Sequence, residues 1–191
     1  MRAKKRRIQD QNTGSDLRAP SDPTIFCGMR TLLVLRHGKA GQDEGEGDRD
    51  RPLTKRGKHA AELIGHLLRD DEIVPDRIIS SSALRARDTA RRVAAASKFD
   101  GVIDELDELY LAEPEAYIKA LVERAGDAAC VLIVGHNPGL EALAMILTSE
   151  PVSLPTAGLV ECALPIANFA ELTREVRGKL RMLRRPKDLD D

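Results

Sequence analysis

The chain has 191 residues, room for one domain with a sizeable core and too few for two comfortable ones. With 42% apolar residues, 32% charged residues and a net charge of -1, it reads as a soluble globular protein and not as a nucleic-acid binder, which is usually basic. No apolar run reaches the ~18 residues of a membrane span, and the start lacks the apolar stretch of a signal peptide. A cytoplasmic setting with no membrane partner is therefore expected.

Residues 1–28 stand apart. They carry Lys4-Lys5-Arg6-Arg7 and then a polar stretch with Asn12, Gly14, Ser15, Pro20 and Pro23. This composition predicts a disordered basic and polar tail. Binding of an acidic partner by the basic cluster, and translation beginning at Met29, stay open beside it. The folded domain is expected over residues 29–191.

From Met29 onward strand and helix patterns alternate. Thr31–Leu35 is a continuous apolar run, as in a strand buried on both faces. Gly41–Asp50 is glycine-rich and acidic and reads as a solvated loop; it lacks the position pattern of a calcium loop. Thr54 suits the N-cap of a helix to about Arg69, with Ala60, Leu63, Ile64, Leu67 and Leu68 on one face. His59 and His66 fall seven apart on that helix, not a metal-ligand spacing, and read as half-exposed helix residues.

Asp76–Ser80 follows as a short strand and Ala83–Ser97 as a helix whose Arg87, Arg91 and Arg92 face outward. A short extended piece near Val102–Ile103 and the segment Glu105–Tyr110 lead to a helix opening at Pro114. Cys130–Val134 is a second strongly apolar strand. Asn137, with Pro138 behind it, predicts the N-cap of a helix to about Leu147. Leu159–Leu164 and Lys179–Leu183 read as the last strands. With few aromatics (3%, no Trp), the core must come from Leu, Ile, Val and Ala. Cys27, Cys130 and Cys162 form no metal-spaced pair, and the last two read as small core residues. The alternation implies an α/β fold, a three-layer αβα sandwich around a mostly parallel central sheet.

Ligands of such sheets bind beyond the carboxyl ends of the strands. The first strand ends in Arg36-His37-Gly38, the second leads through Ser81 to Arg85 in the next helix's first turn, and the fourth ends in Gly135-His136-Asn137. Each residue has a bland reading alone. Together, two arginines and two histidines at one sheet edge form a cradle for an oxyanion such as phosphate, with a possible nucleophile at its floor.

These motifs carry a resemblance. Leu35-Arg36-His37-Gly38-Lys39-Ala40, Pro52-Leu53-Thr54-Lys55-Arg56-Gly57, Ser81 through Arg85-Ala86-Arg87-Asp88-Thr89, and Val134-Gly135-His136-Asn137 resemble the histidine phosphatase superfamily with its phosphoglycerate-mutase-like fold. Gly135-His136-Asn137-Pro138-Gly139, Arg185-Pro186-Lys187-Asp188-Leu189 and the short length look most like its small phosphohistidine phosphatases, the SixA branch. The resemblance implies His37 as nucleophile, with Arg36, Arg85 and His136 binding the phosphoryl oxygens. It implies a monomeric phosphatase without metal or other cofactor, acting on a phosphohistidine-containing signalling or phosphotransfer protein.

Sugar-phosphate members of the superfamily add a carboxylic acid in a Leu-x-Glu context. Leu106-Asp107-Glu108 offers one, but Tyr110-Leu111-Ala112-Glu113-Pro114 departs from the expected continuation. Glu108 as general acid, with a small phosphomonoester as substrate, is thus the alternative. A non-catalytic phosphate-binding module is a remoter one.

Overall fold

Strand β1 (Arg30–Arg36) is the axis of the sheet in a computed structural model that describes residues 28–42, 45 and 47–188. The tail expected over residues 1–28 thus lies, up to Cys27, outside the described residues, as do Asp43, Glu44 and Glu46 of the acidic loop. β1 pairs in parallel with Cys130–Gly135 and antiparallel with Leu159–Leu164. With Arg77–Ser81 as β2, Ile103–Leu106 as β3, these two as β4 and β5, and Lys179–Arg184 as β6, the order is β3-β2-β4-β1-β5-β6. The four strands β3, β2, β4 and β1 run parallel; β5 and β6 turn back along the far side.

The helices are α1 (Lys55–Asp70), α2 (Leu84–Ser97), α3 (Pro114–Arg124) and α4 (Gly139–Thr148). Side chains of a strand alternate between faces, and here both faces are apolar. Leu33 and Leu35 of β1, with Leu132 and Val134 of β4, pack under Ile64 and Leu68 of α1 and Val93 of α2. Leu32 and Val34, with Val131 and Ile133, pack against Tyr117 and Leu121 of α3 and Leu140 and Leu143 of α4. This is the expected three-layer αβα sandwich. Each of these large buried side chains contributes about 1.5–3 kcal/mol of transfer free energy.

Thr54 caps α1 as its position predicts, its Oγ1 accepting from the Gly57 N–H at 3.1 Å. The buried face of that helix is narrower than expected: Ala61, Gly65 and Ile64 lie against the sheet while Leu63 and Leu67 are only half-buried. His59 and His66 are exposed. One cap is corrected. Asn137 does not cap α4, whose N-cap residue is Pro138; the Asn137 amide instead donates to the Leu154 carbonyl at 3.0 Å. The helix begins too late for the Asn137 side chain to reach its first free N–H groups.

Cys162 is buried and Cys130 half-buried, and burial pushes both thiols up to about 12, so neither is poised to react. Among the described residues no helix is long and apolar enough to cross a membrane.

Candidate active site

β1, β4 and β2 are adjacent and parallel, so their carboxyl ends open on one edge. The turn after β1 is held by close backbone contact. A Cβ on Gly57 would lie 2.2 Å from the Lys39 carbonyl oxygen, and one on Gly38 would lie 2.7 Å from the Gly57 carbonyl oxygen. Only glycine at both positions lets α1 seat against this turn. The Gly38 N–H donates to Thr89 Oγ1 at 2.9 Å, and the Thr89 hydroxyl donates to the Arg85 carbonyl at 2.6 Å. Two residues of the α2 motif thereby fix the loop that carries His37.

The four residues singled out in the sequence come together. Arg36, His37, Arg85 and His136 line one cavity of about 490 Å³, with Lys39, Asp48 and Arg51 at its sides. The ring centroids of His37 and His136 lie 5.1 Å apart. His37 Nδ1 lies 2.7 Å from the Gly38 carbonyl oxygen, which can only accept, so this nitrogen carries the proton. Nε2 is then the bare nitrogen, and the Arg85 Nε–H points at its lone pair from 3.3 Å. His136 Nε2 lies 2.9 Å from Ser81 Oγ, its backbone N–H donates to the Tyr117 hydroxyl at 3.0 Å, and its buried Nδ1 has no protein partner.

Burial pulls the His37 imidazole down to about 4; the Gly38 hydrogen bond opposes this and the charges of Arg85, Arg36 and Arg51 add to it. His136 falls to about 3, first through burial and then through its neighbours His37 and Arg85. Both rings are neutral at pH 7. For His37 the ordinary value is 6.5, so between pH 6.5 and 4 the unfolded chain binds the extra proton and the folded one does not. Stability therefore falls as pH drops through that window and is untouched above it. The His37→Ala variant should lose about 1 kcal/mol less per pH unit there than the wild type, measured by urea denaturation at several pH values. Equal slopes for the two proteins refute the assignment.

Arg85 is nearly buried, at 3% exposure. Its NH1 donates to the Asp48 carbonyl at 2.5 Å and its NH2 to the Asp48 carboxylate at 2.9 Å. That carboxylate also accepts from the Tyr110 hydroxyl at 2.7 Å and from Arg51 at 2.8 Å. Tyr110 and Arg51, with Arg85 behind them, hold the Asp48 carboxyl well below the usual carboxylate range. Arg36 donates through NH1 to the Leu154 carbonyl at 2.9 Å, while its buried Nε has no partner.

Sequence reasoning missed Asp48, Arg51 and Tyr110. The acids of that loop alone suggest a solvated run, although Arg49 and Arg51 interleave them, a mixed pattern that hints at internal pairing. Glu108, by contrast, is exposed in a 3-10 turn at Asp107–Leu109 and does not line the cavity. Among the described residues no group of three or more His, Cys, Asp or Glu side chains is placed to hold a metal.

The sequence profile of the histidine phosphatase superfamily (branch 1) matches residues 32–115. A solved structure from Agrobacterium tumefaciens, described as a candidate phosphohistidine phosphatase SixA, is 36% identical with a TM-score of 0.63, covering 70% of this chain and 90% of that one. A second such structure, from Nakamurella multipartitia, is 27% identical with a TM-score of 0.70, covering 83% and 97%. The phosphohistidine phosphatase SixA of Escherichia coli K12 is 29% identical over 111 residues, 56% of this chain and 67% of that protein. With its strand-end Arg-His-Gly on the same sheet edge as Arg85 and His136, the chain belongs to the histidine phosphatase superfamily.

Proposed function

We propose that this protein hydrolyses phosphohistidine on a signalling or phosphotransfer protein, by way of a phosphohistidine formed on its own His37. The domain from Met29 onward carries this activity. The observation behind the reading is the bare Nε2 of His37, whose tautomer is set by Gly38 and which stays neutral at physiological pH. A neutral imidazole nitrogen is the form that attacks phosphorus.

Nε2 forms a bond to phosphorus as the P–N bond to the substrate imidazole breaks. Arg36 and Arg85 take the phosphoryl oxygens, and His136 offers its unpartnered Nδ1 to a third. Phosphoryl transfer asks mainly for position and charge compensation, which these cations supply without a metal. Water then attacks the phosphoenzyme, releasing inorganic phosphate and restoring neutral His37. In the first step the substrate imidazole leaves neutral, keeping the proton that its other ring nitrogen already carries. In the second the P–Nε2 bond breaks, His37 keeps its Nδ1 proton, and the protons of water stay with the phosphate or pass to solvent.

Phosphohistidine is favoured over a phosphomonoester because of the carboxylates. Among the described residues the acid lining the cavity is Asp48, held ionised by two arginines and a tyrosine, and Glu108 faces solvent. Asp48 is thus no proton donor at pH 7, and Glu108 does not line the cavity. An alkoxide leaves badly without a donor, whereas imidazole, with a conjugate acid near ~6.5, needs little help. The test is a side-by-side assay on a phosphohistidine protein and a panel of sugar phosphates and nucleotides. Glu108→Gln should leave both activities within about twofold of wild type; a large loss confined to phosphomonoesters would make Glu108 the acid and that class the substrate.

Asp48 also competes with the substrate, since it fills the guanidinium fork that a phosphoryl group must occupy. Asp48→Asn should therefore lower the inhibition constant of inorganic phosphate by roughly threefold to tenfold. Weaker phosphate binding in that variant would show that Asp48 prepares the site instead.

A further inference from the structure

Three of the sequence motifs carry cations that the phosphate cradle does not use. Lys39 follows the Arg-His-Gly, Arg56 lies in the first turn of α1, and Arg185 and Lys187 flank Pro186 after β6. The fold gathers them. They line a second cavity of about 360 Å³, with the Ser153 and Thr156 side of the loop before β5 as its remaining polar wall. Lys39 and Thr156 line both this cavity and the reaction cavity, so the two share a wall.

The lining of the second cavity includes four cations and, among the described residues, no carboxylate. Asp188, the residue after Lys187, is used locally: its carboxylate accepts from the Arg185 backbone N–H at 3.2 Å. Like charges gathered in a concave site raise the positive potential there, and the N-terminus of α1 adds to it. Nothing in the chemistry described for His37 needs this charge. Its place beside the reaction cavity, with Lys39 and Thr156 lining both, puts it within reach of groups that flank the reacting one.

We propose that this basic cavity is a recognition subsite for acidic side chains that flank the phosphohistidine on the partner protein. The assignment rests on the reading that the substrate is a protein, because a carboxylate is the anion a protein surface offers beside its modified histidine. The loop bearing Ser153 and Thr156 ties the subsite to catalysis geometrically. Its Leu154 carbonyl holds Arg36 and Asn137, and its Ala157 N–H donates to the Arg36 and His37 carbonyls at 3.1 and 3.0 Å.

The test uses the full chain and its Arg56→Glu/Lys187→Glu variant, since both side chains are exposed and lie outside the reaction cavity. The substrates are a phosphohistidine peptide flanked by glutamates and its glutamine counterpart. Wild type should show a KM about tenfold lower for the glutamate peptide, the sum of a few screened ion pairs, at equal kcat. The variant should lose that preference while hydrolysing p-nitrophenyl phosphate, which occupies the reaction cavity alone, at the wild-type rate. Raising salt should erase the wild-type preference in the same way.

Equal KM values for the two peptides in wild type, or an unchanged preference in the variant, overturn the proposal. So does a selective loss in the variant on a bisphosphorylated sugar with both peptides unaffected, which assigns the cavity to a small substrate's second phosphate. If no phosphopeptide is hydrolysed while p-nitrophenyl phosphate is, the phosphohistidine reading fails separately. Binding of the unphosphorylated glutamate peptide, present in wild type and lost in the variant, then still decides the subsite.

Discussion

His37→Ala should abolish turnover of a phosphohistidine protein, with kcat reduced by at least about a thousandfold. No other side chain in the cavity can replace it. His136 is the second imidazole, but its Nε2 is engaged with Ser81 and only 2% of the residue is exposed. The chemistry is then cut at its first step, not slowed at a later one. A rapid-quench experiment with labelled substrate distinguishes the two: wild type should accumulate acid-labile, base-stable phosphate on the protein, and His37→Ala none. Retention of the label with loss of turnover would move the nucleophile elsewhere. His37 belongs to neither apolar layer of the core, so the variant should stay folded, which its circular dichroism checks.

Much of this site was legible in the sequence because its parts sit at strand ends, and strand ends are fixed by apolar runs. Thr31–Leu35 and Cys130–Val134 are unbroken by charge, so the positions of Arg36, His37 and His136 follow from where those runs stop. Parallel pairing then puts the ends on one edge. Arg85 was legible as a first-turn residue of α2, and its burial sets it apart from Arg87, Arg91 and Arg92, whose ion pairs with Glu105 and Glu62 lie on the surface.

What the sequence did not reveal depends on long-range contact. The direction of β5 and β6 is set by how the chain returns after α4, and a mostly apolar hexamer such as Leu159–Leu164 reads the same either way. Asp48 meets Arg85 and Tyr110 across 37 and 62 residues of chain. No local pattern encodes such a meeting. Asn137 shows the opposite error: a strong local propensity for capping was overridden by the Leu154 carbonyl, a tertiary partner.

Arg85→Lys is the second large effect, an expected loss of about a hundredfold or more in kcat/KM with the charge retained. The guanidinium makes three directed contacts at once: Nε–H to His37 Nε2, NH1 to the Asp48 carbonyl and NH2 to the Asp48 carboxylate. A lysine ammonium is a point donor on a flexible stem and cannot hold the nucleophile's lone pair in place while presenting a flat pair of donors to two phosphoryl oxygens. If Arg85 served only as a counter-charge, lysine would restore most of the rate and Arg85→Ala alone would be crippled. If its geometry matters, the two variants should be similarly impaired. The split between binding and chemistry locates the defect further: the phosphoryl group takes this fork from Asp48, so its loss should weaken inhibition by inorganic phosphate and also lower the rate at which His37 becomes phosphorylated.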